Sequence, residues 1–393
     1  MSALAEAVVD LGAIADNVRT VAAVTDTALM AVVKADGFGH GAVPVARAAL
    51  DAGARWLGVT SAAEALALRG AGITAPTLSW LHRPDDDFAA LISAGVDVGV
   101  STTTHLHAIV DAAHQVGVPA TVQLKVDTGL SRNGASGDDW PDLVAWARKY
   151  EVEGGVQVRG VWSHLADADT PGSPGLPHQV ATFEEALRVA RHAGLSPDLV
   201  HLANSAAALS APRTRFDLCR IGLALYGVDP FGADGPGEFG LRPAMTLRTT
   251  VINVKRVPAG TGVSYGPEYV TARPTTLALL PLGYADGLPR ATEGRAEVWL
   301  GGRRLPIVGR VAMDQCVVDA GAAPVAIGDP VVVFGPSTGD GRAGRHGIAT
   351  TGDPAAPTVT EWARWAGTNP HEILTGVGAR VGRDHLHERA GNS

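Results

Sequence analysis

The sequence predicts an α/β protein: a (β/α)8 barrel of the TIM type followed by a mostly β C-terminal domain. Two observations carry this. Up to about residue 230, eight short β-branched or apolar runs alternate with stretches of helical period. Beyond that point strand-like runs follow one another across Gly and Pro turns, with one late helical stretch.

The eight runs are ALMAVV (28–33), WLGV (56–59), TLSWL (77–81), VDVGV (96–100), TVQLKV (121–126), VRGVWS (158–163), LVHLA (199–203) and DLCRIGLALYG (217–227). Between them, SAAEALALRGAG opens on Ser61 with Glu64 three residues later, a capping box, and stops near Gly70 and Gly72. PVARAALDAG places Pro44 in a first turn and ends at Gly53. HQVATFEEALRVARHAGL sets Val180, Phe183, Ala186, Leu187 and Ala190 on one face. Eight strand–helix units of this size suit a closed barrel better than any other α/β layout.

After the loop FGADGPGEFG come AMTLRTTVINVKRV, TTLALLPLGY, AEVWLGG, RRLPIVG, QCVVDA and DPVVVFG, then the helix TVTEWARWAG, capped by Thr358 or Thr360. The Gly/Pro-rich stretch 335–357 reads as a mobile surface loop. The chain thus divides into a barrel over 1–236 and a β domain over 237–393, with the first ten or so residues free to pair with the latter.

Composition narrows the class. An apolar fraction of 46% supports a sizeable core, and no apolar run reaches the roughly 18 residues that span a bilayer. The first residues carry Glu6, Asp10 and Asp16 rather than a basic leader, so no signal peptide is expected. Cys219 and Cys316 are the only cysteines and sit in no paired motif, which fits a reducing cytoplasm. The net charge of −8, without a basic stretch, disfavours nucleic acid. His105 and His107 lack a nearby carboxylate pair and are expected on a solvated helix, so no metal site is expected. A small-molecule enzyme is the default.

Barrels of this kind do their chemistry just past the strand ends. Lys34 follows the first strand among Gly37, Gly39 and Gly41. Asp127, Thr128 and Arg132 follow the fifth, His164 the sixth, and Asn204 and Ser205 the seventh; Arg220 and Gly222 lie on the eighth. A strand-terminal lysine alone is commonly a snorkelling side chain, and a lone Ser205 a helix cap. Gathered at one mouth, these residues make a site for an anionic cofactor and an anionic substrate.

The strings AVVKADGFGHG, KVDTGLSRNG, WSHLADAD, HLANSAA, FDLCRIGLALYG, GVSYG, GYADGLPR and VGRVAMDQ, in this order, resemble the motifs of the alanine racemases over nearly the whole chain. The resemblance implies a pyridoxal 5'-phosphate enzyme that interconverts L- and D-alanine and supplies D-alanine for peptidoglycan. It also implies a homodimer in which each β domain completes the partner's active site. A broader-specificity amino-acid racemase on the same fold is the alternative.

Carried over by motif, Lys34 holds the cofactor as a Schiff base and is one acid/base group; Tyr265 is the other, reaching in from the second subunit. Racemisation needs proton removal on one face of Cα and delivery on the other, so two groups must flank the reacting carbon. Arg220 faces the pyridine nitrogen, where a guanidinium withholds its proton and weakens the electron sink. It argues against the decarboxylases of this fold, which usually place a carboxylate there. His164 packs on the ring or steadies Arg220.

Arg132 and the backbone at Met313 bind the substrate carboxylate, Asp314 and Gln315 follow in the same loop, and Tyr284 and Arg310 line the entrance. Lys125 is the candidate for carbamylation beside Arg132. Ser205 with the backbone of Gly222 and Leu223 holds the phosphate, next to Asn204, and Trp80 adjoins the cofactor. Two positions depart from the family: Phe38 and His371 stand where tyrosines are usual, which implies a weaker hold on the phosphate unless His371 donates to it.

Overall fold

The computed structural model describes residues 4–170, 172–231, 239–292, 294–336 and 356–386. The boundary expected at 236/237 and most of the stretch 335–357 lie outside these residues.

Eight parallel strands form the barrel: β2 (Ala28–Val32), β3 (Trp56–Val59), β4 (Thr77–Ser79), β5 (Asp97–Val100), β6 (Ala120–Lys125), β7 (Val156–Trp162), β8 (Leu199–His201) and β9 (Leu218–Ile221). They pair in the order β8-β7-β6-β5-β4-β3-β2-β9. The two ends meet where Asp217 N–H donates to Val200 O and Arg220 N–H to Ala203 O, both at 3.0 Å. All eight runs read from the sequence are strands here, so this part of the expected architecture holds.

Several strands are shorter than the runs read from the sequence, and at two of them the contacts show why. Trp80 leaves β4 and wedges between two side-chain-free neighbours: a Cβ on Gly58 or Gly99 would sit 2.8 Å from Trp80 atoms. The last strand stops at Ile221 and becomes a 3-10 turn, Leu223–Tyr226, pinned by the Tyr226 hydroxyl donating to Val32 O at 3.0 Å. The helix at Ala62–Gly70 starts with the Ser61/Glu64 capping box, and Val359–Ala366 is capped by Thr358. His105 and His107 are half-buried rather than solvated. His105 Nε2 meets His82 O at 3.0 Å and His107 Nδ1 meets the Tyr150 hydroxyl at 2.8 Å.

The second sheet has nine strands. In chain order they are β1 (Ala5–Asp10), β10 (Met245–Thr250), β11 (Asn253–Val257), β14 (Thr275–Leu280), β15 (Glu297–Leu300), β16 (Arg303–Val308), β17 (Cys316–Gly321), β18 (Pro330–Phe334) and β19 (Gly382–Leu386); β12 (Gly262–Val263) and β13 (Tyr269–Val270) form a separate hairpin. β1 lies inside this sheet, antiparallel to β10 and parallel to β19. The chain therefore begins in the β domain, builds the barrel, and returns. The return positions a C-terminal helix, Pro370–Gly376, against the barrel mouth. Gly39 makes that contact possible, since a Cβ there would meet Leu374 O at 2.5 Å.

Candidate active site

The barrel mouth opens on a cavity of about 320 Å³, within the range of small-molecule sites. Lys34, Lys125, Arg132 and Arg220 all line it, against one carboxylate, Asp169. Four cations around one small space favour an anionic ligand. Phe38, Trp80, His164, Asn204, Ser205, Gly222, Leu223 and His371 also face it.

Lys34 begins an unusual turn. Ala35, Asp36, Gly37, Phe38 and Gly39 all have positive φ, from 50° to 77°. For Ala35, Asp36 and Phe38 this left-handed conformation costs roughly 1–2 kcal/mol each. The surroundings hold it: Asp36 Oδ1 accepts the Ala42 N–H at 2.8 Å, and Arg383 Nε donates to Gly39 O at 3.0 Å. Backbone strain held this way is characteristic of functional sites. The Lys34 ammonium is disfavoured by burial and then by the Arg132 charge, with Glu64 opposing, so its pKa is lowered. That suits an amine required as a nucleophile or base.

Arg220 is buried and held from the ends of two neighbouring strands, β7 and β8. Nη2 donates to Ser163 O (2.8 Å) and Leu202 O (3.0 Å) and contacts His164 Nδ1 (3.1 Å), while Nη1 donates to His201 O (3.2 Å) and contacts His201 Nδ1 (3.1 Å). Facing a guanidinium, both histidines must present lone pairs at Nδ1. Burial and the Arg220 charge hold His164 down at about 2 and His201 well below its usual value. Arg220 itself is lowered by burial only to about 10, so it stays charged.

Ser205 opens the helix Ser205–Ser210, with Asn204 as its cap through the Ala207 N–H. Ser205 Oγ accepts the N–H of Gly222 at 3.0 Å and of Ala224 at 3.3 Å. Its own proton is then free to point at a ligand, whereas the Gly222 N–H would have to be shared with one. Arg132 is exposed at the rim, at the end of a loop organised by Asp127 Oδ1, which accepts N–H groups from Gly129, Leu130 and Ser131. Lys125 Nζ lies 4.4 Å from the Trp162 ring centroid; burial, then Arg220 and Arg132, lower it to about 7. Phe38 stacks on Tyr226 at 4.7 Å and lies 5.5 Å from the His371 ring, which comes from the C-terminal helix.

Tyr265, Tyr284 and Met313 do not line this cavity. They are 70%, 45% and 53% exposed and belong to one surface patch of the β domain. Ser264 Oγ donates to Arg310 O at 2.7 Å, tying the Tyr265 loop to the loop that carries Met313, and the Tyr284 N–H donates to Ala312 O at 3.0 Å. Gly283 permits this approach, because a Cβ would sit 2.4 Å from Met313 O. Sequence reasoning missed Trp162 and Glu64. Trp162 carried a signal, an aromatic at a strand end two residues before His164; Glu64 was read only as a helix cap.

The family profile for the alanine racemase N-terminal domain matches residues 9–230, and that for the C-terminal domain residues 244–385. The chain belongs to the alanine racemase family. It is 50% identical to the alanine racemase of Frankia casuarinae over 97% of this chain and 96% of that one. It is 49% identical to that of Salinispora arenicola, over 98% and 99%. The crystal structure of alanine racemase from D-cycloserine producing Streptomyces lavendulae superposes with a TM-score of 0.92 at 45% identity, covering 99% and 98% of the two chains. That of Bartonella henselae, with covalently bound pyridoxal phosphate, gives 0.85 at 29% identity over 98% and 100%.

Alanine racemases are isomerases that depend on pyridoxal phosphate, and this cavity fits that cofactor. It offers a lysine with a lowered pKa, a serine hydroxyl at a tight turn, and a buried guanidinium, within a cationic wall. Among the described residues no group of three metal-ligating side chains gathers, and no helix is long and apolar enough to cross a membrane.

Proposed function

We propose that the chain interconverts L- and D-alanine as a homodimer with shared active sites, with pyridoxal phosphate held covalently through Lys34. The observation that carries this is the split between two half-sites. Lys34, Arg220, His164 and Ser205 meet in one cavity, while Tyr265, Tyr284 and Met313 form an exposed patch elsewhere on the same chain.

Bound pyridoxal phosphate supplies an electron sink that acidifies the Cα–H of alanine. Lys34 Nζ takes or returns a proton on one face of Cα, and the hydroxyl of the partner's Tyr265 serves the other. Arg220, fixed by three carbonyls and two imidazoles, orients the ring end and keeps its nitrogen unprotonated. Arg132 and the backbone at Met313 bind the alanine carboxylate, with Tyr284 and Arg310 at the entrance. Ser205, Gly222 and Leu223 receive the phosphate, flanked by Phe38, Trp80, Asn204 and His371. The patch around Tyr265 is covered by the second subunit.

Lys125, lowered to about 7, presents a neutral amine able to take up carbon dioxide as a carbamate, whose negative charge would relieve the repulsion with Arg132 and Arg220. Intact native mass with and without bicarbonate reads it; a mass identical in both conditions refutes it. The buried, unpaired Cys219 and Cys316 suit a cytoplasmic enzyme, and the cellular role is D-alanine supply for peptidoglycan.

Chiral product analysis of the purified enzyme with L-alanine, L-serine and L-valine tests the reading. Fast conversion of alanine alone is expected, and none in Lys34→Ala. Comparable rates on all three substrates support a broad-specificity racemase instead.

A further inference from the structure

A line of buried polar side chains crosses the barrel interior beneath the cavity. Arg220 Nη1 lies 3.1 Å from His201 Nδ1, and His201 Nε2 lies 2.8 Å from Gln123 Oε1. Gln123 Nε2 donates to Asp97 Oδ2 at 2.8 Å, and Arg159 donates to Asp97 Oδ1 at 2.6 Å. Asp97, Gln123, His201 and Arg220 are no more than 5% exposed. They stand on β5, β6, β8 and β9, so the line runs from the base of the barrel to its mouth. Room is made for it: a Cβ on Gly160 would sit 3.1 Å from Gln123 Oε1. Trp162 stacks flat on His201, 5.5 Å between centroids at 7°.

We infer that Asp97 and Gln123 are positioning residues for Arg220, acting through the tautomer of His201. The logic is one of donors and acceptors. An ionised carboxylate only accepts, so Gln123 must turn its NH₂ to Asp97 and its carbonyl to His201. That carbonyl only accepts, so the His201 proton sits on Nε2. Nδ1 is then a lone pair, and Arg220 can donate to it. With the opposite tautomer an N–H would face a guanidinium N–H, and Arg220 would lose that acceptor. Every bond in the line therefore runs in the one sense that both ends favour, the acceptor-only carboxylate of Asp97 on the far side of the barrel and the donor-only guanidinium of Arg220 at the mouth. Burial raises the Asp97 carboxyl to about 6 despite Gln123, Arg159 and Arg69, so the group is ionised at about pH 8.

The inference rests on the role of Arg220 proposed above, and its test separates the two. In wild-type holoenzyme labelled with ¹⁵N-histidine, at about pH 8, His201 is expected as the neutral Nε2–H tautomer. This is read without turnover. Asp97→Asn removes the fixed direction: both tautomers should appear, and kcat should fall about tenfold with KM for alanine changed less than about twofold. Gln123→Met, which leaves both charged groups in place, should do the same if Asp97→Asn folds poorly. The double variant Asp97→Asn/Gln123→Glu moves the carboxylate one step along and restores an acceptor to His201. It should recover the single tautomer and bring kcat back to within about threefold of wild type. An unchanged tautomer in both single variants, or a double variant no better than Asp97→Asn, overturns the proposal. Failure of wild type to racemise alanine would instead overturn the functional reading and leave the relay standing.

Discussion

Glu64 Oε1 accepts the Ala35 N–H at 2.7 Å, while Oε2 takes the N–H groups of Thr60 and Ser61 and the Thr60 hydroxyl. One carboxylate thus caps a helix and also fastens the left-handed turn beginning at Lys34. Burial pushes Glu64 up, but these hydrogen bonds together hold it below its usual value. Glu64→Ala leaves several donors without this acceptor, and each one left unpaired costs about 1–3 kcal/mol. A lower melting temperature is expected, together with weaker uptake of pyridoxal phosphate by the apoenzyme. A variant that melts lower yet titrates with wild-type affinity would confine Glu64 to the helix cap.

At the proposed phosphate end, Phe38 Cζ points towards Gly222, 3.2 Å from where a Cβ there would stand. A hydroxyl added at that carbon reaches the rim formed by Gly222 and Ser205. Phe38→Tyr is expected to tighten pyridoxal phosphate by about tenfold, the worth of one hydrogen bond to a charged group. Titration of both apoenzymes measures it, and equal affinities would show that Phe38 leaves no deficit.

The proposed sharing of sites makes a complementation test decisive. Lys34→Ala and Tyr265→Ala are each expected to be inactive alone. Refolded together as a mixture, they should regain about a quarter of wild-type activity, because half the dimers are mixed and each of those has one intact site. No recovery, with mixed dimers demonstrated, would place Tyr265 in its own chain's site or outside catalysis.

Acid sensitivity follows from buried imidazoles. His40 is held by burial at about 4 and His201 well below its usual value. Between about pH 6.5 and 4 the unfolded chain binds these protons and the folded chain does not, so stability is full above about pH 6.5. It falls with acid by up to about 1.4 kcal/mol per pH unit for each histidine. Asp97 opposes this: raised to about 6, it gains its proton earlier in the fold and stabilises the folded chain as pH falls from 6 towards 4. Two histidines outweigh one carboxyl, so thermal melting should give a lower midpoint at about pH 5 than at about pH 7.5. A midpoint that is flat or higher at pH 5 would show that these rings titrate in the folded state.

The barrel was legible because its eight strands are short β-branched runs with capping residues between them, and strand ends locate a mouth. Lys34, His164, Ser205 and Arg220 follow from that rule. Gln123 and His201 did not, because polar residues inside apolar strands carry no mark of which neighbours they meet across a barrel. Nor did the turn at 35–39, where Ala35, Asp36 and Phe38 adopt a conformation that local preference opposes and only tertiary contacts hold. The end of the last strand is hidden in the sequence because LALYG is as apolar as a strand, and only the Tyr226 hydrogen bond to Val32 sets it.

β19 lies beside β1, and the same strand carries Arg383, which grips Gly39. The final stretch of the chain thus seals both the second sheet and the turn at Lys34. During synthesis β1 and the barrel strands emerge before β19, so until Arg383 follows them the turn at Lys34 relies on Glu64 and Asp36 and one edge of β1 stays open. Firm cofactor binding is therefore expected only once this strand is in place. A truncation removing only this last strand should yield a protein with a barrel yet unable to keep its cofactor.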